Sequence, residues 1–168
     1  VSSTSSLRPA TIADGAACAA LYAPHVLRGT GTFEIDPPEA REMAARIAHV
    51  LARGWPWLLL EQPDGKLLGY AYVSQFRDRA AYARTGETSI YVAEGETGRG
   101  HGRALLEALL PAAAAAGFRT LLAVIGDSGN AASIALHRGL GFRQAGLLEG
   151  VGEKFGRRLD VVLMQREL

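Results

Sequence analysis

The chain has 168 residues, 48% hydrophobic and 21% charged, with a formal net charge of +1. That balance suits an ordinary soluble domain with a sizeable core, and no stretch gathers enough like charge to favour nucleic acid or a polybasic membrane partner. A lone cysteine, Cys18, excludes an internal disulfide, the histidines show no metal-ligand spacing, and no run approaches the ~18 apolar residues of a membrane span, so the reading is cytoplasmic and metal-free.

Residues 1–168 are expected to form one domain, with the Ser-rich residues 1–6 frayed. A short strand at Leu7 to Ala10 leads to Thr11 or Asp14 as a helix cap. An alanine-rich helix follows, with Cys18, Leu21, Tyr22 and Val26 on one face. DPPEAREMAARIAHVLARG predicts a second helix that opens at Asp36 with prolines in its first turn, buries Met43, Ile47, Val50 and Leu51, and stops at Gly54. WPWLLLEQ and LLGYAYVSQF flank the turn PDGK as a β-hairpin in which Trp55 and Trp57 pack, and ETSIYVAE is a further strand. A glycine-rich loop then feeds a helix through Leu105, Leu106, Leu109 and Leu110, which Pro111 is expected to kink before a stop at Gly117. TLLAVIG reads as a strand buried on both faces and NAASIALHRGLGF as a short helix ended by Gly139 or Gly141. Two strands close the chain near Phe142 to Leu148 and Leu159 to Gln165. The order predicts an α+β three-layer sandwich: a mixed, mostly antiparallel central sheet with helices on both faces.

The loop ETGRGHG sets Gly98, Gly100 and Gly102 directly before a helix N-terminus, where unpaired N–H groups and a partial positive charge favour an anion such as phosphate. Arg99 and Arg103 could add charge-assisted bonds. The dinucleotide fingerprint G-x-G-x-x-G fails at Arg103 or Leu105, and no Gly-Lys-Ser or Gly-Lys-Thr triplet forms a P-loop. A different phosphate loop, or a glycine turn without a ligand, is left.

Read together, SIYVAEGETGRGHGRALLEALL and LLAVIGDSGNAASIALHRGLGF resemble the two acyl-CoA-binding segments of the GNAT superfamily of N-acetyltransferases. RPATIADGAACAALY, GTFE, PWLLLE and FRDRAAYARTGETSIYV extend the resemblance, in order, to the phosphinothricin-acetyltransferase-like branch over nearly the whole chain. Where the family loop begins with Gln or Arg, this chain has Thr97, which leaves the backbone cradle to carry the diphosphate, with Arg99 as a replacement cation.

The resemblance implies a GNAT-like sandwich, acetyl-CoA as co-substrate without a metal, and an open V between ETSIYV and TLLAVIG that receives the pantetheine arm. It implies cofactor contacts from Ile90, Tyr91, Val92, Thr97, Gly98, Arg99, Gly100, His101, Gly102, Arg103, Asn130 and Ser133. Asn130 reads equally well as a helix cap. Strand alternation groups Glu87, Ser89 and Tyr91 on one face. Glu87 is then the expected general base, against the alternative of a strand-end surface carboxylate. His137 is the expected general acid to the departing thiolate, against a histidine that merely packs.

Arg79 and Tyr82, with Phe33 and Glu34, match the branch's acceptor pocket; otherwise the arginine is solvated, Phe33 is core and Glu34 is surface. His25, His49 and Cys18 are assigned to helix surfaces or core. The implied acceptor is the α-amine of a small amino-acid-like compound, such as phosphinothricin, methionine sulfoximine or methionine sulfone, and the implied assembly a homodimer. The alternatives are a peptide N-terminus, a polyamine or an aminoglycoside as acceptor, or a non-catalytic acyl-CoA-binding module.

Overall fold

The computed structural model describes residues 5–168. In chain order it comprises β1 (Ser6–Pro9), α1 (Gly15–Arg28), α2 (Ala40–Leu51), β2 (Trp57–Glu61), β3 (Leu67–Gln75), β4 (Thr85–Val92), α3 (His101–Ala115), β5 (Thr120–Gly126), α4 (Ala131–Gly139), β6 (Arg143–Lys154) and β7 (Arg157–Glu167). Of the first six residues, expected to fray, 1–4 lie outside the described residues, and Ser6 opens β1 instead. The seven strands form one sheet in the order β1-β2-β3-β4-β5-β7-β6, and only β4 and β5 run parallel.

Alternation along the strands builds a core on each face. Trp57, Leu59 and Tyr70 join Cys18, Tyr22, Val26, Met43 and Ile47 beneath α1 and α2. Leu60, Ala71 and Val73 meet Leu105, Leu106 and Leu109 of α3 on the other face, where Ile134 and Leu136 of α4 also pack. A one-residue register slip would exchange the two sets, so both cores fix the pairing. Trp57 stacks on Tyr72 with ring centroids 4.1 Å apart, and Trp55 tilts against Phe118 at 5.7 Å, so the tryptophans do pack.

Several expectations are corrected. Helix α2 starts at Ala40 rather than Asp36, because each residue before a proline is pushed out of the helical region, and Glu39 is still extended with ψ 164°. Helix α3 runs on through Pro111, which is exposed, so water can take the Glu107 carbonyl that loses its helical partner. Strand β5 is buried on one face only: Leu121, Ala123 and Ile125 meet the α3 core, while Val124 lines a cavity. The last two strands are longer than expected, joined by a turn with Phe155 at φ 54° and Gly156 at φ 69°, the paired positive values of a tight hairpin. The outer half of β6 is polar, glycine-bearing and mostly exposed, so it carries no apolar alternation to read.

No described helix is long and apolar enough to cross a membrane. Among the described residues no group of three or more His, Cys, Asp or Glu is placed to hold a metal.

Candidate active site

The parallel pair β4–β5 is joined only from Thr85↔Thr120 to Thr88↔Ala123. Beyond that vertex each strand stays bonded to its outer neighbour, β4 to β3 as far as Val92 and β5 to β7 as far as Gly126, while the two diverge from each other. Thr88 Oγ1 donates to the Leu122 carbonyl at 3.3 Å and closes the vertex. The resulting V is a cavity of about 630 Å³ lined by Glu87 to Tyr91, Ala123 to Asp127, Thr30 to Phe33, and Asn130, Ser133 and His137 among others. Inner strand edges left without a sheet partner are where an extended ligand can add as a further strand.

Glu87 lies beside the vertex, one residue before the last β4–β5 pair. Burial raises its carboxyl pKa above the ordinary range, and the charge of Arg77 partly opposes that rise. His137 is buried at 4% exposure on α4. Its Nδ1 lies 2.8 Å from the Ser133 carbonyl, which can only accept, so the proton sits on Nδ1. Nε2 is buried without a partner among the described residues. Burial lowers the imidazole pKa, against the Ser133 hydrogen bond, so the ring is neutral with a free lone pair on Nε2. Asn130 caps α4, its side chain accepting from the Ser133 N–H at 3.2 Å, and it lines the cavity as well, so the two readings of this residue coexist.

The glycine loop lies outside the cavity lining, at the start of α3. Gly98 at φ 76° and Gly100 at φ 86° take left-handed backbone, and an added Cβ at either would meet nothing within 4 Å, so conformation rather than space requires glycine there. Gly102 differs: its Cβ would press on Leu136 at 3.3 Å, so it serves the approach of α4 to α3. The N-terminus of α3 has no side-chain cap and no acidic residue in its first turn, although the Glu96 carboxylate lies 3.7 Å from the His101 side chain at its first residue. The arginines expected to reach phosphate have local partners here, Arg99 with Glu96 at 3.0 Å and Arg103 with Glu107 at 2.8 Å. Glu96 is itself buried, and its hydrogen bond from Lys66 at 2.8 Å is the chief reason its pKa is lowered. Thr97 and His101 complete the turn.

On the acceptor side, Phe33 lines the cavity, whereas Glu34 sits behind it. The Glu34 carboxylate accepts two bonds from Arg46, at 2.7 and 3.1 Å, and one from the Tyr22 hydroxyl at 3.1 Å. Burial would raise the Glu34 pKa, but Arg46 outweighs it and the net direction is down. Arg79 and Tyr82 stand on an exposed loop outside the cavity lining, where Tyr82 meets Phe76 edge-on at 5.7 Å. Gln75 Nε2 pins that loop through the carbonyls of Arg77 and Arg79 at 2.6 and 3.1 Å. Two contributions went unread in the sequence. His25, assigned to a helix surface or core, lines the cavity and donates through Nε2 to the Val92 carbonyl at 2.9 Å. Thr30 forms part of the wall beside Gly31 and Thr32, which belong to the GTFE segment that the resemblance singled out; a lone histidine and a lone threonine carry no spacing that could have announced this.

A parallel pair split past a threonine vertex, with a half-buried carboxylate at its base and a helix N-terminus beside it, is the open V that the resemblance to N-acetyltransferases implies. The chain matches the acetyltransferase (GNAT) domain over residues 7–163, and it belongs to that family of acetyltransferases. It is 52% identical over 152 residues to the phosphinothricin N-acetyltransferase of Alcaligenes faecalis, covering 90% of this chain and 77% of that one. It is 38% identical to the L-methionine sulfoximine/L-methionine sulfone acetyltransferase of Pseudomonas paraeruginosa, covering 98% of this chain and 95% of the other. Among solved structures, a phosphinothricin acetyltransferase of Sinorhizobium meliloti in complex with acetyl-CoA aligns with TM-score 0.94 at 42% identity, over 98% of this chain and 89% of that one.

Proposed function

We propose that the protein transfers the acetyl group of acetyl-CoA to the α-amine of a small amino-acid-like acceptor of the phosphinothricin, methionine sulfoximine or methionine sulfone type. The observation that carries this reading is the β4–β5 opening with Glu87 at its vertex and His137 on its wall. The relatives named above act on those acceptors and supply the substrate class.

In this reading the first turn of α3 and the backbone of Gly98 to Arg103 hold the diphosphate, and the inner edge of Ile90 to Val92, whose Val92 carbonyl already accepts from His25, holds the pantetheine arm with Asn130 and Ser133 opposite. Glu87 takes a proton from the acceptor ammonium; its raised pKa makes it a stronger base than an exposed glutamate. The neutral amine forms the C–N bond at the thioester carbon. His137, with its lone pair on Nε2, receives the proton that the nitrogen then sheds. It returns that proton to sulfur as the C–S bond breaks. The general acid expected at His137 is thus loaded during the reaction rather than beforehand.

Thiol release from acetyl-CoA, followed over methionine sulfone, phosphinothricin, spermidine and an aminoglycoside, tests the reading. Release with the first two supports it. Release only with the cationic amines, or with none despite coenzyme binding, overturns it.

The lone buried thiol of Cys18 suits a reducing cytoplasmic setting. A homodimer is supported by the long edge strand β6, where Leu147, Leu148 and Val151 are 44, 44 and 59% exposed. Light scattering at micromolar concentration reads that state, and a monomer there sinks the proposal.

A further inference from the structure

Lys154, at the end of β6, is 3% exposed, a rare position for a lysine. Its Nζ donates to the Thr32 carbonyl at 2.9 Å, across 122 residues of sequence, and lies 5.1 Å from the centre of the Phe155 ring. Burial pushes its pKa down, and Glu34 is the charge that opposes this. An apolar side chain would avoid that desolvation, so packing alone does not account for a cation here.

What Lys154 holds is the wall segment of residues 30–34. Thr32 is also bound through its Oγ1 to the Tyr22 hydroxyl at 2.6 Å, and Thr30 Oγ1 donates to Asp127 at 2.7 Å. Phe33 fills a slot between two glycines: a Cβ at Gly152 would lie 2.2 Å from its ring, and one at Gly126 would lie 3.0 Å from it. Gly152 and Lys154 both belong to β6, so one strand both shapes the slot and ties the backbone beside it.

We propose that Lys154 is a positioning residue that fixes the 30–34 segment, and with it the Phe33 wall of the acceptor site, against the β6 strand. The inference rests on the acceptor reading above for its choice of substrate. The segment also neighbours Asn130 on the coenzyme side, where a Cβ at Gly31 would lie 3.4 Å from Nδ2, so a larger effect on the acceptor than on acetyl-CoA is what separates positioning from a general stabilising role.

The test uses the intact enzyme and the variants Lys154→Met, Lys154→Arg and Gly152→Ala, the last pressing on Phe33 from the other side with Lys154 intact. Amide hydrogen exchange over residues 29–35 is read first and needs no substrate. It should speed up by about tenfold or more in Lys154→Met, as expected for loss of a charged hydrogen bond, and return toward wild type in Lys154→Arg. With methionine sulfone as acceptor, the acceptor KM should rise by about tenfold in Lys154→Met and Gly152→Ala, with the acetyl-CoA KM within about twofold of wild type. Unchanged exchange in Lys154→Met, or acceptor and acetyl-CoA KM rising together, overturns the proposal. Should Lys154→Met fail to fold, Lys154→Arg and Gly152→Ala decide: a retained acceptor KM in Gly152→Ala overturns it. A wild-type enzyme that acetylates none of these acceptors refutes the substrate reading alone, and the exchange result still decides the role of Lys154.

Discussion

As the proposed base, Glu87 would owe its strength to a desolvation that is costly to the fold. Its raised pKa means that the folded protein holds the proton more tightly than the unfolded chain does. Its contribution to stability is therefore fully present below the unfolded pKa and lost as pH rises through the folded one. At neutral pH and above, Glu87→Gln is expected to raise the melting temperature while lowering kcat by about 10²–10⁴, with acetyl-CoA binding kept. Calorimetry and steady-state kinetics at pH 8 check both signs together; a variant that loses activity and stability alike would place Glu87 in the structure rather than the reaction. His137 gives a matching contrast. Its Nε2 has no hydrogen-bond partner among the described residues, so Phe at this position gives up only the Nδ1–H bond to the Ser133 carbonyl, about 1 kcal/mol, and should melt a few degrees below wild type, yet lose about 10²-fold in kcat.

At the scale of elements, the glycine loop was legible because its demand is local: the left-handed φ at Gly98 and Gly100 is adopted without strain by glycine and at a cost by residues with a Cβ. Gly100→Ala should therefore strain the turn by about 1–2 kcal/mol without a clash and raise the acetyl-CoA KM while the acceptor KM stays put, a split that steady-state kinetics reads directly. The helices and the β2–β3 hairpin were legible for the same reason, since periodicity and an Asp-Gly turn are short-range signals. The start of α2 was misplaced because Pro37 and Pro38 read as a helix opening, when together they hold the chain extended up to Glu39. Lys154 and Thr32 were illegible in principle. Their contact spans 122 residues, and each looks ordinary in its own neighbourhood. The same holds for His25, whose role exists only because β4 leaves β5 and a carbonyl at Val92 needs a donor.

For the whole molecule, one guanidinium joins three elements. Arg8 on β1 donates to Asp14 at the start of α1, at 2.7 and 2.9 Å, and to Glu61 on β2, at 2.6 and 2.9 Å. The hydrogen bond from Arg8 is the main cause that lowers the Asp14 carboxyl to about 2, against 3.8 for a free group. A depressed folded pKa contributes stability that is present above the unfolded value and lost as pH falls through the folded one, here between about 4 and 2. Arg8 is 38% exposed, so solvent screening reduces the contribution to about 1–2 kcal/mol. Glu34, paired with Arg46 of α2, and Asp127, hydrogen-bonded by Thr30, shift in the same direction, so several tertiary links weaken together in acid. Glu87 shifts the other way: its contribution is regained above its unfolded value of 4.5 and is already in place below it, so it does not offset the fall over that range. Urea unfolding free energy should thus fall from pH 5 to pH 2.5, and Asp14→Asn should lose about 1–2 kcal/mol at pH 7 with a flatter acid limb. The same variant also exchanges the charged acceptor of the Thr11 N–H, at 2.7 Å, for a single amide oxygen, so Arg8→Met, which spares that carboxylate, isolates the ion pair. Equal acid limbs in wild type and Arg8→Met would show that the β1–α1–β2 link contributes nothing to acid stability.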